Sequence, residues 1–125
     1  MRSRVIGWAL GLSLAGLTSG ALAADAISDG GVKVGILNDL SGIYSDFTGR
    51  GSAVAAQIAI DEMGGKVRGA PIELVAADHQ NKPDIAANLA REWFDQGKVD
   101  MIADFPTSST ALAVMEIAKQ KNRVT

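Results

Sequence analysis

Three times in succession, a short run of β-favouring apolar residues is followed by a polar loop and then by an amphipathic stretch. This alternation restricts the chain to few folds. The first run, 32–37, holds Val32, Val34, Ile36 and Leu37, so apolar residues occupy both odd and even positions. A strand that is apolar on both faces is one covered on both faces, as in a parallel sheet. Residues 52–63 follow as a predicted helix, with Val54 and Ile58, and Ala55 and Ala59, at i, i+4 spacing and Gly64-Gly65 to stop it. The second strand is predicted over 72–77, with Pro71 at its edge. After a polar loop, Pro83 suits a first helical position, where a missing N–H costs nothing. Ile85, Leu89 and Trp93 form one stripe of that helix, Ala86, Ala90 and Phe94 lie beside it, and Gly97 ends it. A third strand is predicted over 99–103 and a third helix over 111–120, apolar through Leu112, Val114, Met115 and Ala118. Val124 is placed at the start of a fourth strand. The order β-α-β-α-β-α argues an α/β fold: a parallel sheet with helices on both faces.

The N-terminus has a different character. Arg2 and Arg4 precede an apolar run, 5–17, broken only by Gly and Ser, and Ala21-Leu22-Ala23 places small residues where a signal peptidase reads them. This is the pattern of a secretory leader, with cleavage predicted after Ala23. The alternative is a membrane anchor, for which the run is short. Residues 1–23 are therefore expected to be a signal peptide, and 24–125 an exported unit.

Composition removes several function classes. Hydrophobic residues make up 47% and charged residues 21%, the balance of an ordinary globular domain rather than a disordered one. The formal net charge is -2 and aromatics are 5%, so neither a basic face nor a stacking platform for nucleic acid is present, and no nucleic-acid partner is expected. With no cysteine and one histidine, disulfides, cysteine zinc sites, thiol nucleophiles and paired-histidine metal sites are excluded. No cofactor is expected: the loop after the first strand lacks G-x-G-x-x-G, and no P-loop sequence occurs. Asp39 and Asp104, after the first and third strands, are placed like the acidic residues of a phospho-accepting receiver. Asn38-Asp39, however, offers one carboxylate where such a module has a pair, and a secretory leader contradicts a cytoplasmic role.

In doubly wound sheets, ligands bind beyond the carboxyl ends of the strands. The loops there are 38–49, 78–82 and 104–109. The third delivers Thr107, Ser108 and Ser109 into a helix start, where exposed N–H groups favour an anion and hydroxyls can donate beside them. The competing reading is plain capping by Ser108 or Ser109. In the first loop, Tyr44 and Phe47 either wall an apolar pocket or pack locally, and Asp39 and Asp46 either face the cleft or close Asx turns. His79, between Asp78 and Gln80, reads as a hydrogen-bonded loop residue. A secreted α/β hydrolase would need it as base, but no G-x-S-x-G accompanies it.

The ordered set of these segments resembles the type I periplasmic binding proteins of the Leu/Ile/Val (branched-chain amino acid) class. Val32-Lys33-Val34-Gly35-Ile36-Leu37 followed by Leu40-Ser41-Gly42 is similar to that family's opening strand and "S-G" turn. The Ala-rich helix ending at Gly64-Gly65, the strand Gly69-Ala70-Pro71-Ile72-Glu73-Leu74-Val75, Asp78 with Pro83, and Ser108-Ser109-Thr110-Ala111-Leu112-Ala113 continue the likeness. It covers essentially the whole mature chain.

The resemblance implies a non-enzymatic binding protein whose two lobes close on a small solute and deliver it to an ABC permease in the inner membrane. A monomer is expected. Thr107 is implied to give its hydroxyl to a ligand carboxylate, with Ser108 and the helix N–H groups beside it. Phe105, Pro106, Phe47 and nearby Tyr44 are implied to line the side-chain pocket. Some members carry a disulfide between the second and third loops; Asn81 and Pro106 stand at those places here. The family runs on into a second lobe, so 24–125 is expected to be the N-terminal part of the first. A branched-chain amino acid is the expected ligand, with an aromatic acid or small amide as the alternative. A sensor lobe that touches a membrane receptor shares the same fold.

Overall fold

A computed structural model describes residues 27–125. The predicted leader and its cleavage after Ala23 lie outside the described residues. A 3-10 turn, Ser28–Gly30, leads into β1 (Val32–Asn38), followed by α1 (Gly49–Glu62), β2 (Lys66–Val67), β3 (Ala70–Asp78), α2 (Pro83–Asp95), β4 (Met101–Ala103) and α3 (Ser108–Lys121). The sheet order is β2-β3-β1-β4. β1 is parallel to β3, from Val32 opposite Ile72 to Asn38 opposite Asp78, and parallel to β4, with Val34 opposite Met101. Val124 forms a parallel bridge to Met101, as expected of the start of a further strand. Among the described residues, no helix is long and apolar enough to cross a membrane.

The sheet is mixed rather than purely parallel, because β2 pairs antiparallel with the first residues of β3. Arg68 and Gly69 make the turn between them with φ of 51° and 86°. Two residues are too few to show a period-2 pattern, so this ribbon leaves no trace in the hydropathy.

One face of the sheet carries the main core. Leu37, Val99 and Ile102 are buried with Ala86, Ala90 and Phe94 of α2 and Val114, Ile117 and Ala118 of α3. The alternation of a strand sends Ile36, also buried, to the other face, the side of α1. The first crossover runs from β1 to β3 and the second back past β1 to β4. Right-handed connections in opposite directions put α1 and α2 on opposite faces.

The three helices form where the spacing predicts them, with one start displaced. On α1 the stripe of Val54 and Ile58 faces outward, 58% and 53% exposed; the covered side runs through Gly49, Ala53, Ala56 and Ile60. This helix has two apolar stripes, and periodicity alone does not say which meets the sheet. α3 starts at Ser108 rather than near residue 111, which moves Ser108 and Ser109 into its first turn.

Candidate functional site

Each of the three strand ends terminates in a polar side chain that ties its loop down. Asp39 is fully buried; its carboxylate accepts from Gly42 N–H at 2.6 Å and Tyr44 N–H at 3.1 Å. The Asx-turn reading is therefore the correct one for Asp39. Asp78 accepts from the Ser41 hydroxyl at 2.6 Å and from the N–H groups of Leu40 and Gln80. Burial alone would raise the Asp78 pKa, but these hydrogen bonds and the neighbouring His79 outweigh it and hold the carboxyl below its ordinary 3.8. Asn38, also fully buried, donates to Asp104 at 2.7 Å and accepts from the Thr48 hydroxyl at 2.7 Å. The carboxyl-end loops thus form one hydrogen-bonded platform.

Upon this platform the residues singled out in the sequence are distributed unevenly. Thr107 occupies the N-cap position of α3 but makes no capping bond. Its hydroxyl instead lies 2.7 Å from that of Thr110, whose own hydroxyl also reaches the Thr107 carbonyl at 2.9 Å. Ser108 and Ser109 are exposed and inside the helix, so capping by either is corrected: the helix begins too early for them to sit at the cap. The first N–H groups of α3 consequently have neither an intrahelical nor a side-chain acceptor, the arrangement that favours an anion. Phe105 is half-buried and packs against the main core, and Pro106 is likewise half-buried. Tyr44 is half-buried, whereas Phe47 is 84% and its neighbour Ile43 80% exposed on the lip of the first loop.

His79 is fully buried, out of reach of any substrate. Its Nδ1 accepts from Asn81 N–H at 2.9 Å, which places the proton of the neutral ring on Nε2. Burial pushes its pKa below the ordinary 6.5, against the pull of Asp39 and Asp78. The neutral form favoured by folding contributes stability that is present above pH 6.5 and lost as the pH falls through the lower folded value. Chemical denaturation from pH 7.5 to 4.5 should therefore show a progressive loss of stability beginning near pH 7. His79→Gln, which cannot titrate, should flatten that part of the curve. Equal slopes in the two proteins would show that His79 is not the group responsible.

Sequence reasoning missed Asn38, Thr48 and Thr110. The available signal was position: Asn38 is the first polar residue after a doubly apolar strand, at the end where ligands bind. A cavity of about 190 Å³ lies at the opposite end of the sheet, lined by Asp29, Lys33, Glu73, Lys98 and Asp100 among others. Its charged groups are paired, Lys33 with Glu73, Lys98 with Asp29 and Asp100 with Arg123. Among the described residues, no group of three or more histidine, cysteine or acidic side chains could hold a metal ion.

The carboxyl-end loops of this α/β sheet thus carry an uncapped helix start and an exposed apolar lip. Comparison with known proteins then gives the family. The sequence profile described as periplasmic binding protein matches residues 31–125. A periplasmic binding protein from Burkholderia mallei is 47% identical, with a TM-score of 0.74 over 76% of this chain and 25% of its own. A branched-chain amino acid ABC transporter periplasmic ligand-binding protein from Burkholderia xenovorans is 48% identical, with a TM-score of 0.71 over 74% of this chain and 25% of its own. A solute-binding protein of an ABC transporter from Rhodopseudomonas palustris, in complex with 3,4-dihydroxybenzoic acid, is 32% identical, with a TM-score of 0.69 over 74% and 25%. No curated protein matches the chain. The chain belongs to the periplasmic binding protein family, and it spans about a quarter of the length of these structures.

Proposed function

We propose that this chain supplies the N-terminal part of the first lobe of a periplasmic solute-binding protein that captures a small carboxylate-bearing solute for an ABC permease. Residues 1–23 are its cleaved leader, and residues 24–125 carry half of the site. The protein works as a monomer and performs no chemistry on its ligand. Binding draws the two lobes together because the solute contacts both only in the closed form.

The observation that carries this reading is the uncapped start of α3 beside the Thr107 hydroxyl, at the carboxyl end of the sheet. A carboxylate placed there meets free N–H groups, with Thr107 and Ser108 at its side. The Thr107 hydroxyl can turn its proton toward that anion because Thr110 can donate to it in return; the Thr107 carbonyl keeps its bond from Ala111 N–H at 2.9 Å. Phe105, Pro106, Tyr44 and Phe47 provide apolar contact for the rest of the ligand. The branched-chain designation of the Burkholderia xenovorans relative supports an amino acid of that class. The Rhodopseudomonas palustris complex supports an aromatic acid as the second reading.

The test is a thermal-shift screen of the full-length mature protein with branched-chain amino acids, hydroxybenzoates, small amides and sugars. One carboxylate-bearing class should raise the melting temperature. Thr107→Ala should weaken that ligand about 10- to 100-fold, the worth of one hydrogen bond to a charged group. A shift with sugars alone, or unchanged affinity in Thr107→Ala, would overturn the reading.

A further inference from the structure

We infer that Asn38 is the positioning residue of this site: one buried amide holds the Tyr44–Phe47 loop and the Phe105–Thr107 loop in a fixed register. The inference rests on the reading that those two loops contact the solute.

Asn38 ends β1, the strand between β3 and β4, and none of it is exposed. Its Nδ2 donates to Asp104 Oδ2 at 2.7 Å. Its Oδ1 accepts from Thr48 Oγ1 and from Asp39 N–H, both at 2.7 Å. The backbone N–H of Asp39 can only donate, so Oδ1 must face it and Nδ2 must face the Asp104 carboxylate: the amide has a single workable orientation. Thr48 closes the first loop: its N–H donates to the Tyr44 carbonyl at 3.0 Å, and α1 begins at the next residue. Asp104 opens the other loop from a left-handed conformation, φ 66°, that aspartate tolerates better than most side chains. Its carboxylate needs an anchor for that turn to lead into Phe105, Pro106 and Thr107 in one direction.

The neighbouring acidic groups are otherwise engaged. Asp39 holds Gly42 and Tyr44, and Asp78 holds Leu40, Ser41 and Gln80. The bridge between the first and third loops therefore runs through Asn38. Neither loop can shift alone without leaving a buried donor or acceptor unpaired. Aspartate lacks the donor and leucine lacks both functions, so asparagine is the residue type that satisfies all three partners.

The experiment exchanges the two side chains in the full-length protein. Asn38→Asp sets two carboxylates against each other at hydrogen-bond distance. Adding Asp104→Asn restores one donor facing one acceptor, and the second oxygen of the new carboxylate still accepts from Thr48 and Asp39 N–H. Kd is measured with isoleucine and with 3,4-dihydroxybenzoate, well below the melting midpoint of every variant, so that a general loss of stability does not move it. Asn38→Asp should weaken the bound probe at least about tenfold. The double exchange should return it to within about threefold of the parent. Backbone amide NMR, without ligand, should show residues 44–48 and residues 105 and 107 shifting together in Asn38→Asp and returning together in the exchange.

Unchanged affinity in Asn38→Asp, no recovery in the exchange, or movement of one loop only would each overturn the inference. Failure of both probes, or full binding by Thr107→Ala, would instead count against the proposed ligand site, and the NMR result would still decide whether Asn38 joins the two loops.

Discussion

Phe94→Ala is expected to lower the unfolding free energy by about 3–5 kcal/mol, the usual cost of removing a buried aromatic ring and leaving a cavity. Phe94 is 5% exposed and lies on α2 within the cluster that joins α2, α3 and the sheet. Its neighbours there include Ala86 and Ala90 on its own helix, which are too small to collapse into the space. Domains of this kind are stable by about 5–15 kcal/mol, so the loss is a large share of the total. Urea denaturation should show a much lower midpoint at an unchanged slope. Ile58→Ala on α1 is the control. That side chain is 53% exposed, and its removal should change stability by no more than about 0.5 kcal/mol. If the two substitutions cost the same, the assignment of the main core to the α2–α3 face is wrong.

Gly42→Ala should cost about 2–3 kcal/mol and weaken ligand binding as well. A Cβ at Gly42 would lie 2.5 and 2.6 Å from the two oxygens of the Asp39 carboxylate. That carboxylate is fully buried and holds Gly42 N–H and Tyr44 N–H. The methyl group must push it aside, which breaks two charge-assisted hydrogen bonds in a buried place and releases the loop of Tyr44 and Phe47. The glycine of the "S-G" turn is thus required for close approach, since its φ is not in the left-handed region. Calorimetry and ligand titration on the same preparation check both parts. A stable variant with lost affinity would show that the loop yields while the fold does not, and an unaffected variant would refute the close approach.

Much of this architecture was legible beforehand because burial on both faces leaves a mark in the chain itself. Val32, Val34, Ile36 and Leu37 are apolar at consecutive and alternate positions, and they form the central β1. The apolar face of α2 is legible because the helix has one such face and a proline at its start, but its buried centre is Ala86, Ala90 and Phe94, while the leading stripe of Ile85, Leu89 and Trp93 is half-buried. On α1 two apolar stripes compete, and the i, i+4 spacing that marks the helix does not say which of them meets the sheet. The site was half legible: Thr107 is at the start of α3, but the start was misplaced by three residues because Ser108, Ser109 and Thr110 have the chemistry of a cap as well as of a first turn.

The sequence by itself determined the order of the three helices and of the three strands that run parallel, but not the β2 ribbon that makes the sheet mixed. These follow from local periodicity and from the handedness of short connections, which act over a few residues at a time. Only the tertiary structure decided which side of α1 meets the sheet, that Thr107 bonds to Thr110 rather than capping its helix, and that Asn38 reaches Asp104. That last pair is 66 positions apart in the chain. Its hydrogen bond exists because β1 and β4 are neighbours in the sheet, and no local pattern records which strand a buried amide will face.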